Sequence, residues 1–183
     1  VTALIFVAKG DVFGQVLTLV FAVFYGIISY SFHYYGEMIT YMCMTAPIAA
    51  AAVVSWIRHL FKDSNEVEIA TLSRRNVVFM WASAITVTVA FYFILGAFDN
   101  ANLLVSTFSV TTSFLASYLT FFRSPYYALA YAANDIVLIV LWIMASLSDI
   151  KYIAMVVCFI AFFANDMYGF YNWKRMQKRQ KAE

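Results

Sequence analysis

The sequence predicts an all-α integral membrane protein: seven transmembrane helices in a 3+1+3 parallel-repeat arrangement, the first helix truncated. Three observations carry this. The 183 residues are 64% hydrophobic and only 12% charged, whereas a soluble domain carries about 25% charged residues. That is too little charge to cover a water-facing globule, so a soluble enzyme is excluded. Second, the apolar residues fall into runs of about 20, the length needed to cross about 30 Å of hydrocarbon. Third, the basic residues cluster on alternate connections, as the positive-inside rule requires.

The runs cover residues 12–31, 38–60, 77–98, 103–122, 126–148 and 152–172. Residues 1–8 are apolar but too short to span, so the chain is expected to begin inside a helix whose earlier turns precede it. A secretory signal is not expected there, because a basic first region and a small-residue cleavage site are missing. Lys9-Gly10-Asp11 makes the turn into the second helix. Gly36-Glu37, Phe98-Asp99-Asn100, Arg123-Ser124-Pro125 and Ser148-Asp149 are short polar connections. Pro125 stands where a helix begins. Pro47 lies within the third run and is expected to bend it. Residues 62–75 form the one long hydrophilic stretch. Cys43 and Cys158 lie deep in apolar runs and read as small packed residues.

With the C-terminus in the cytoplasm, 11 of the 12 Lys and Arg residues fall on inner segments, and only Lys151 lies outside. The N-terminus is then outside. The tail from Lys174 reads as a topology signal, assisted by anionic lipid.

The first and last three helices look alike. Lys9-Gly10-Asp11 matches Arg123-Ser124-Pro125, and Val54-Ser55-Trp56-Ile57-Arg58 matches Tyr171-Asn172-Trp173-Lys174-Arg175. This divides the chain into a first repeat (1–61), a cytoplasmic loop with a crossover helix (62–100), and a second repeat with a basic tail (101–183). Parallel repeats of this kind are a transporter architecture with a substrate site near the midplane.

Polar groups at membrane depth are expensive and point to function. Asp135 stands near the middle of the sixth run. Tyr127, Tyr131, Asp135, Leu138 and Trp142 recur at spacings of four, four, three and four, which makes one helix face with Asn134 at its edge. Rings flanking an acid suit a flat cationic ligand that also carries hydroxyls. The bland alternative is a neutral or helix-pairing Asp135. Asn165, Tyr168 and Asn172 share a face of the seventh helix, either toward the same cavity or as interhelical glue. Asp166 lies off that face and nearer the basic end, where hydrated headgroups come within reach. Tyr41 and Thr45 are one turn apart on the third helix; Gln15, Tyr25 and Tyr30 are further polar positions. Trp56 and Trp81 read as interfacial anchors, and His33 and His59 as solvated residues near helix ends. No phosphate loop, metal-ligand set or nucleophile pair is present, so catalysis, metal and cofactor are not expected. Nor does a basic face track nucleic acid.

The stretch Ser124-Pro125-Tyr126-Tyr127-Ala128-Leu129-Ala130-Tyr131-Ala132-Ala133-Asn134-Asp135 resembles the PnuC family of nicotinamide riboside transporters. So do Asn165-Asp166-Met167-Tyr168-Gly169-Phe170-Tyr171-Asn172-Trp173 and the Tyr35-Gly36-Glu37-Met38 junction. The resemblance covers essentially the whole chain. It implies a fold related to the SWEET proteins, a homotrimer in the bacterial inner membrane, and uptake of nicotinamide riboside by facilitated diffusion. A cytoplasmic kinase then traps the substrate as a phosphate.

The family's sixth helix carries two aromatics three apart and an amide four further on. Here those positions are Ala128, Tyr131 and Asp135, and the third helix has Tyr41 where the family often has Gln. On this basis Tyr127 and Tyr131 are expected to hold a pyridinium, and Asp135 with Asn134 to bind ribose hydroxyls. Trp142, Asn165, Tyr168 and Tyr41 are the remaining binding candidates. Thiamine and deoxynucleosides, carried by relatives of the family, are the alternative substrates; a non-transporting scaffold or receptor subunit is the alternative from another class.

Overall fold

The computed structural model describes residues 2–31, 38–62, 64–99 and 102–183, with Ser29 described by its backbone alone. Among them are seven α-helices: α1 (Thr2–Ala8), α2 (Val12–Ser31), α3 (Ala46–Ile57), α4 (Arg74–Ala97), α5 (Leu103–Phe121), α6 (Tyr127–Ser148) and α7 (Ile153–Ala182). A π-helical turn, Thr40–Thr45, leads into α3, and a 3-10 turn, Ile150–Tyr152, into α7. Among the described residues there is no strand, only the isolated bridges Asp11–Glu66 and Leu60–Val67. Five helical segments are long and apolar enough to cross a membrane, and α2 adds 20 apolar-rich residues. The all-helical membrane class expected from composition is the fold observed. His33, the Gly36-Glu37 connection with Tyr35, and Asn100 lie outside the described residues.

Local chemistry explains where the helices depart from the apolar runs. The backbone of Ser73 is extended, and its Oγ accepts the Asn76 N–H at 3.2 Å. This cap starts α4 at Arg74, before the apolar residues begin. Pro47 has no N–H to give to the preceding turn, and that turn is wound wide: the Ala46 N–H donates to Tyr41 O. The irregularity expected at Pro47 therefore takes the form of a π turn. α7 runs to Ala182, beyond the apolar run, because its Lys, Arg and Gln residues are good helix formers.

α1 packs on α2 and α7, α2 on α3, α3 on α5, α5 on α6, and α6 on α7; α4 makes its main contact with α5. Small residues allow close approach: Ala46, Ala49 and Ala52 form a buried stripe on α3, and Ala128 and Ala132 one on α6. The connections α1–α2 and α5–α6 repeat each other bond for bond. The Gly10 N–H donates to Val7 O (2.9 Å) and the Arg123 N–H to Thr120 O (3.0 Å). The Asp11 N–H donates to Phe6 O (3.0 Å) and the Ser124 N–H to Leu119 O (2.9 Å). Both turns place one residue in left-handed backbone, Gly10 at φ 73° and Arg123 at φ 54°. Each pair is 113 residues apart (123 − 10, 120 − 7), so Arg123 pairs with Gly10 and not, as the sequence suggests, with Lys9.

Three expectations are corrected. Trp56 is not an interfacial anchor: it is 0% exposed and packs on Trp173 with ring centroids 5.4 Å apart. Trp81, at 53%, is exposed. Cys43 is exposed on the surface of its span, not packed. The hydrophilic stretch and the basic tail are not merely solvated charge. The Val67 N–H donates to Gly10 O (2.9 Å) and the Ala70 N–H to Arg123 O (3.1 Å), so one strand-like segment straps both repeated turns. Gln180 receives the Ile69 N–H (2.8 Å) and donates to Val67 O (3.0 Å), and Arg179 pairs with Glu66.

Candidate functional site

α6 and α7 run antiparallel in close contact, and one glycine permits it. A Cβ on Gly169 would lie 3.1 Å from the Tyr127 hydroxyl and 3.4 Å from the Ala8 Cβ. Gly169 and Trp173 pack against Tyr127, and in an antiparallel register this places Asp166 on the same stretch of the α6–α7 contact as Tyr131 and Asp135. Asp135 is 4% exposed and Asp166 6%. The Asp135 carboxyl and the Tyr127 and Tyr131 phenols all lie within electrostatic reach of Asp166. The Asp135 Oδ2 is buried with no hydrogen-bond partner among the described residues.

The surroundings fix the two rings. The Tyr131 hydroxyl is 3.4 Å from the Ser117 Oγ. The Tyr127 hydroxyl donates to Val7 O at 3.4 Å, and its ring sits 4.6 Å from that of Trp173 and 6.2 Å from that of Tyr131. Trp173 donates its indole N–H to Val7 O (3.0 Å) and Trp56 donates to Thr120 O (2.9 Å). Beside them Ser55 donates to Phe121 O (2.9 Å) and Asn172 to Ala8 O (2.9 Å). Val7, Trp56, Val67, Tyr127, Trp173 and Met176 thus form a packed floor on the loop-bearing side of the carboxyl pair.

Of the expected site residues, Tyr127, Tyr131 and Asp135 come together, with Asp166. Asn134 is buried next to them but is turned to α5, its Oδ1 accepting from Ser109 (3.0 Å) and Thr112 (2.8 Å). Asn165 donates to Leu4 O at 3.5 Å, which ties α7 to α1. Trp142 is stacked on Tyr152 at the far end of α6, 5.6 Å between centroids. Tyr168 is 49% exposed and faces away from the pair. Tyr41 lies in an aromatic group of its own with Tyr25 (4.5 Å) and Phe21 (6.0 Å), between α2 and the π turn. Sequence reasoning left out Asp166 and the Trp56–Trp173 floor. The repeated Asn-Asp dipeptide, 134–135 and 165–166, was the available signal for Asp166. An apolar groove of about 650 Å³ between α3, α4 and α5, lined by Pro47, Ala51, Phe79, Ser83, Phe114 and Tyr118, contains none of these residues.

At the loop-bearing end, burial pushes the Arg123 guanidinium down from its ordinary value while Glu68 opposes the shift. At the opposite end, the Lys151 side chain and backbone N–H hold the Asp149 carboxyl below its ordinary range. No group of three or more metal-ligating side chains occurs among the described residues.

Three comparisons bear on this arrangement. Residues 1–175 match the family described as nicotinamide mononucleotide transporter. A relative from Neisseria mucosa, named nicotinamide riboside transporter PnuC, is 22% identical over 188 residues, covering 100% of this chain and 72% of its own. The crystal structure of the vitamin B3 transporter PnuC superposes with a TM-score of 0.77 at 22% identity, over 97% of this chain and 78% of that one. The last likeness is one of fold.

Proposed function

The chain belongs to the nicotinamide mononucleotide transporter family, and from that premise we propose that it takes up nicotinamide riboside by facilitated diffusion. As a member of a transporter family it is a transporter and not an enzyme. Phosphorylation in the cytoplasm then traps what has entered. The observation that carries this reading is the buried Asp135 carboxyl, within electrostatic reach of the buried Asp166 and one helical turn from Tyr131. In this reading Tyr131 packs against the pyridinium and Tyr127 closes the site from below. Asp135 takes the ribose hydroxyls, with the neighbouring Asn134 held in place by α5, and Asp166 balances the ligand's charge.

The same proposal makes residues 1–61 and 101–183 two parallel three-helix repeats joined by a crossover, rocking about the site to give alternating access. The repeated turns and the matched Trp56 and Trp173 bonds support it. Placement of the basic residues supports an N-terminus outside and a C-terminus in the cytoplasm. Assembly as a homotrimer in the bacterial inner membrane completes the reading.

Asp135→Ala is expected to lower uptake of labelled nicotinamide riboside at least tenfold at unchanged membrane abundance. Uptake at the wild-type rate would remove Asp135 from the site. A second substrate, thiamine, is favoured over deoxynucleosides by the acid pair, because it too carries a fixed positive charge. Competition of each compound against labelled nicotinamide riboside separates them.

A further inference from the structure

α4 is the least buried of the five long spans. It leans on α5, and α3 leans on the same helix, but α3 and α4 hardly touch each other. The gap between them is the apolar groove of about 650 Å³. Its floor is made by rings of α5, with the centroids of Phe114 and Tyr118 6.2 Å apart. Phe79 of α4 comes within 6.5 Å of the Tyr118 ring from one wall, and Pro47 and Ala51 of α3 make the other.

Positive charge stands at one end of this groove. The α4 wall steps back through Val87, Ser83 and Phe79 at intervals of four, and the next step is Arg75. The α3 wall runs from Pro47 to Ala51. The same face then carries Ser55, whose Oγ donates to Phe121 O at 2.9 Å, and Arg58. Both arginines therefore stand at the loop-bearing end, where the Tyr118 hydroxyl donates to Asn76 O at 3.1 Å. Both are exposed, and among the described residues neither takes part in an ion pair. From Arg75 to Val87 is 12 residues (87 − 75), about 18 Å at a rise of about 1.5 Å each. One leaflet's hydrocarbon is half of about 30 Å. A chain lying in the groove and a headgroup at the arginines thus fit one molecule.

We propose that the groove between α3, α4 and α5 binds one anionic phospholipid of the leaflet facing the loops. An acyl chain lies along Phe114 and Tyr118, and Arg58 and Arg75 hold the phosphate from the two walls. The chain fills the space that α3 and α4 leave between them, so the lipid ties α4 to the bundle. A zwitterionic lipid offers the same chain but carries its own ammonium, which the two arginines repel. Headgroup charge is therefore the selecting property. With the C-terminus in the cytoplasm the leaflet is the inner one. The groove contains none of the carboxyl and ring residues of the candidate substrate site, so the lipid site stands or falls apart from the carrier reading.

The test titrates the full-length chain in detergent with dioleoylphosphatidylglycerol or dioleoylphosphatidylcholine and counts retained lipids by native mass spectrometry. The expected result is one phosphatidylglycerol per chain, held about tenfold or more tighter than phosphatidylcholine, as two arginines at a headgroup imply. The double variant Arg58→Gln with Arg75→Gln should weaken that binding by about tenfold or more. Arg74→Gln with Lys178→Gln removes the same net charge away from the groove walls and should change it less than about twofold. Ala51→Phe fills the groove without touching a charge and should weaken binding as much as the arginine pair does. Circular dichroism checks that each variant keeps its helix content. Equal retention of the two lipids overturns the site, as does undiminished phosphatidylglycerol binding in either the arginine pair or Ala51→Phe. An equal loss in the charge-matched control overturns it too, since binding then follows net charge alone. A wild type that retains no lipid but forms an oligomer dispersed by Ala51→Phe assigns the groove to a second copy of the chain and overturns the lipid site.

Discussion

At the scale of single residues, position decides more than identity. Asp135 and Asp166 are the same side chain, yet the sequence singled out one and set the other aside. A helical wheel places a residue on its own helix, whereas burial of Asp166 comes from α6 lying against it. The same contact makes Gly169 testable. Alanine in a helix is more favourable than glycine by about 0.5–1 kcal/mol, but here its Cβ would meet the Tyr127 hydroxyl at 3.1 Å. Gly169→Ala is therefore expected to give no gain in the wild type. In a Tyr127→Phe background, where that oxygen is gone, it should stabilise by about 0.5–1 kcal/mol. Thermal unfolding in detergent of the four combinations measures this, and equal effects in both backgrounds would show that the hydroxyl is not the constraint. The aromatic stripe on α6 was legible as a periodicity; that Trp142 ends up on Tyr152, away from the carboxyl pair, was not.

At the scale of elements, helix existence followed from composition, and helix ends followed from neighbours. Ser73 caps α4 through a local hydrogen bond that its sequence position reveals. The extension of α7 is different. Its last turns hold the loop through Gln180, whose side chain accepts from Ile69 and donates to Val67, more than 110 residues away in sequence. Removing residues 177–183 takes away both bonds and the Arg179–Glu66 pair. Trypsin is then expected to cut at Lys62, Arg74 or Arg75 at least several-fold faster, while the apolar spans stay protected, as expected for a segment held by few contacts. An unchanged cleavage rate would mean that the strap is held by its backbone bonds to Gly10, His59, Phe61 and Arg123. Reading the stretch as hydrophilic was sound. Its role as a strap was not legible, since no pattern in 62–73 names its partners.

At the scale of the whole molecule, two tryptophans tie together helices distant in sequence. Trp56 closes on the end of α5 and Trp173 on the end of α1, each through its indole N–H. The two acceptors differ. Val7 O also receives the Tyr127 hydroxyl and the Gly10 N–H, whereas Thr120 O otherwise receives the Arg123 N–H and, from just two residues on, the strongly bent N–H of Phe122. Trp56→Phe is thus expected to cost more stability than Trp173→Phe, about 1–2 kcal/mol against about 1 kcal/mol or less, because a poorly satisfied buried carbonyl is left behind. Unfolding midpoints in detergent of the two variants check the order, and a larger loss for Trp173→Phe would contradict it. The sequence by itself determined the membrane class, the number and order of the helices, and the place of Asp135 within an apolar helix. Those depend on hydrophobic length and on the cost of polar groups in lipid, both of which add up along a single segment. Only the tertiary structure decided that Asp166 joins Asp135, that Tyr168 faces outward, and that Trp56 is core. Facing across helices is fixed by packing between segments distant in sequence, and one glycine or alanine at the contact sets it.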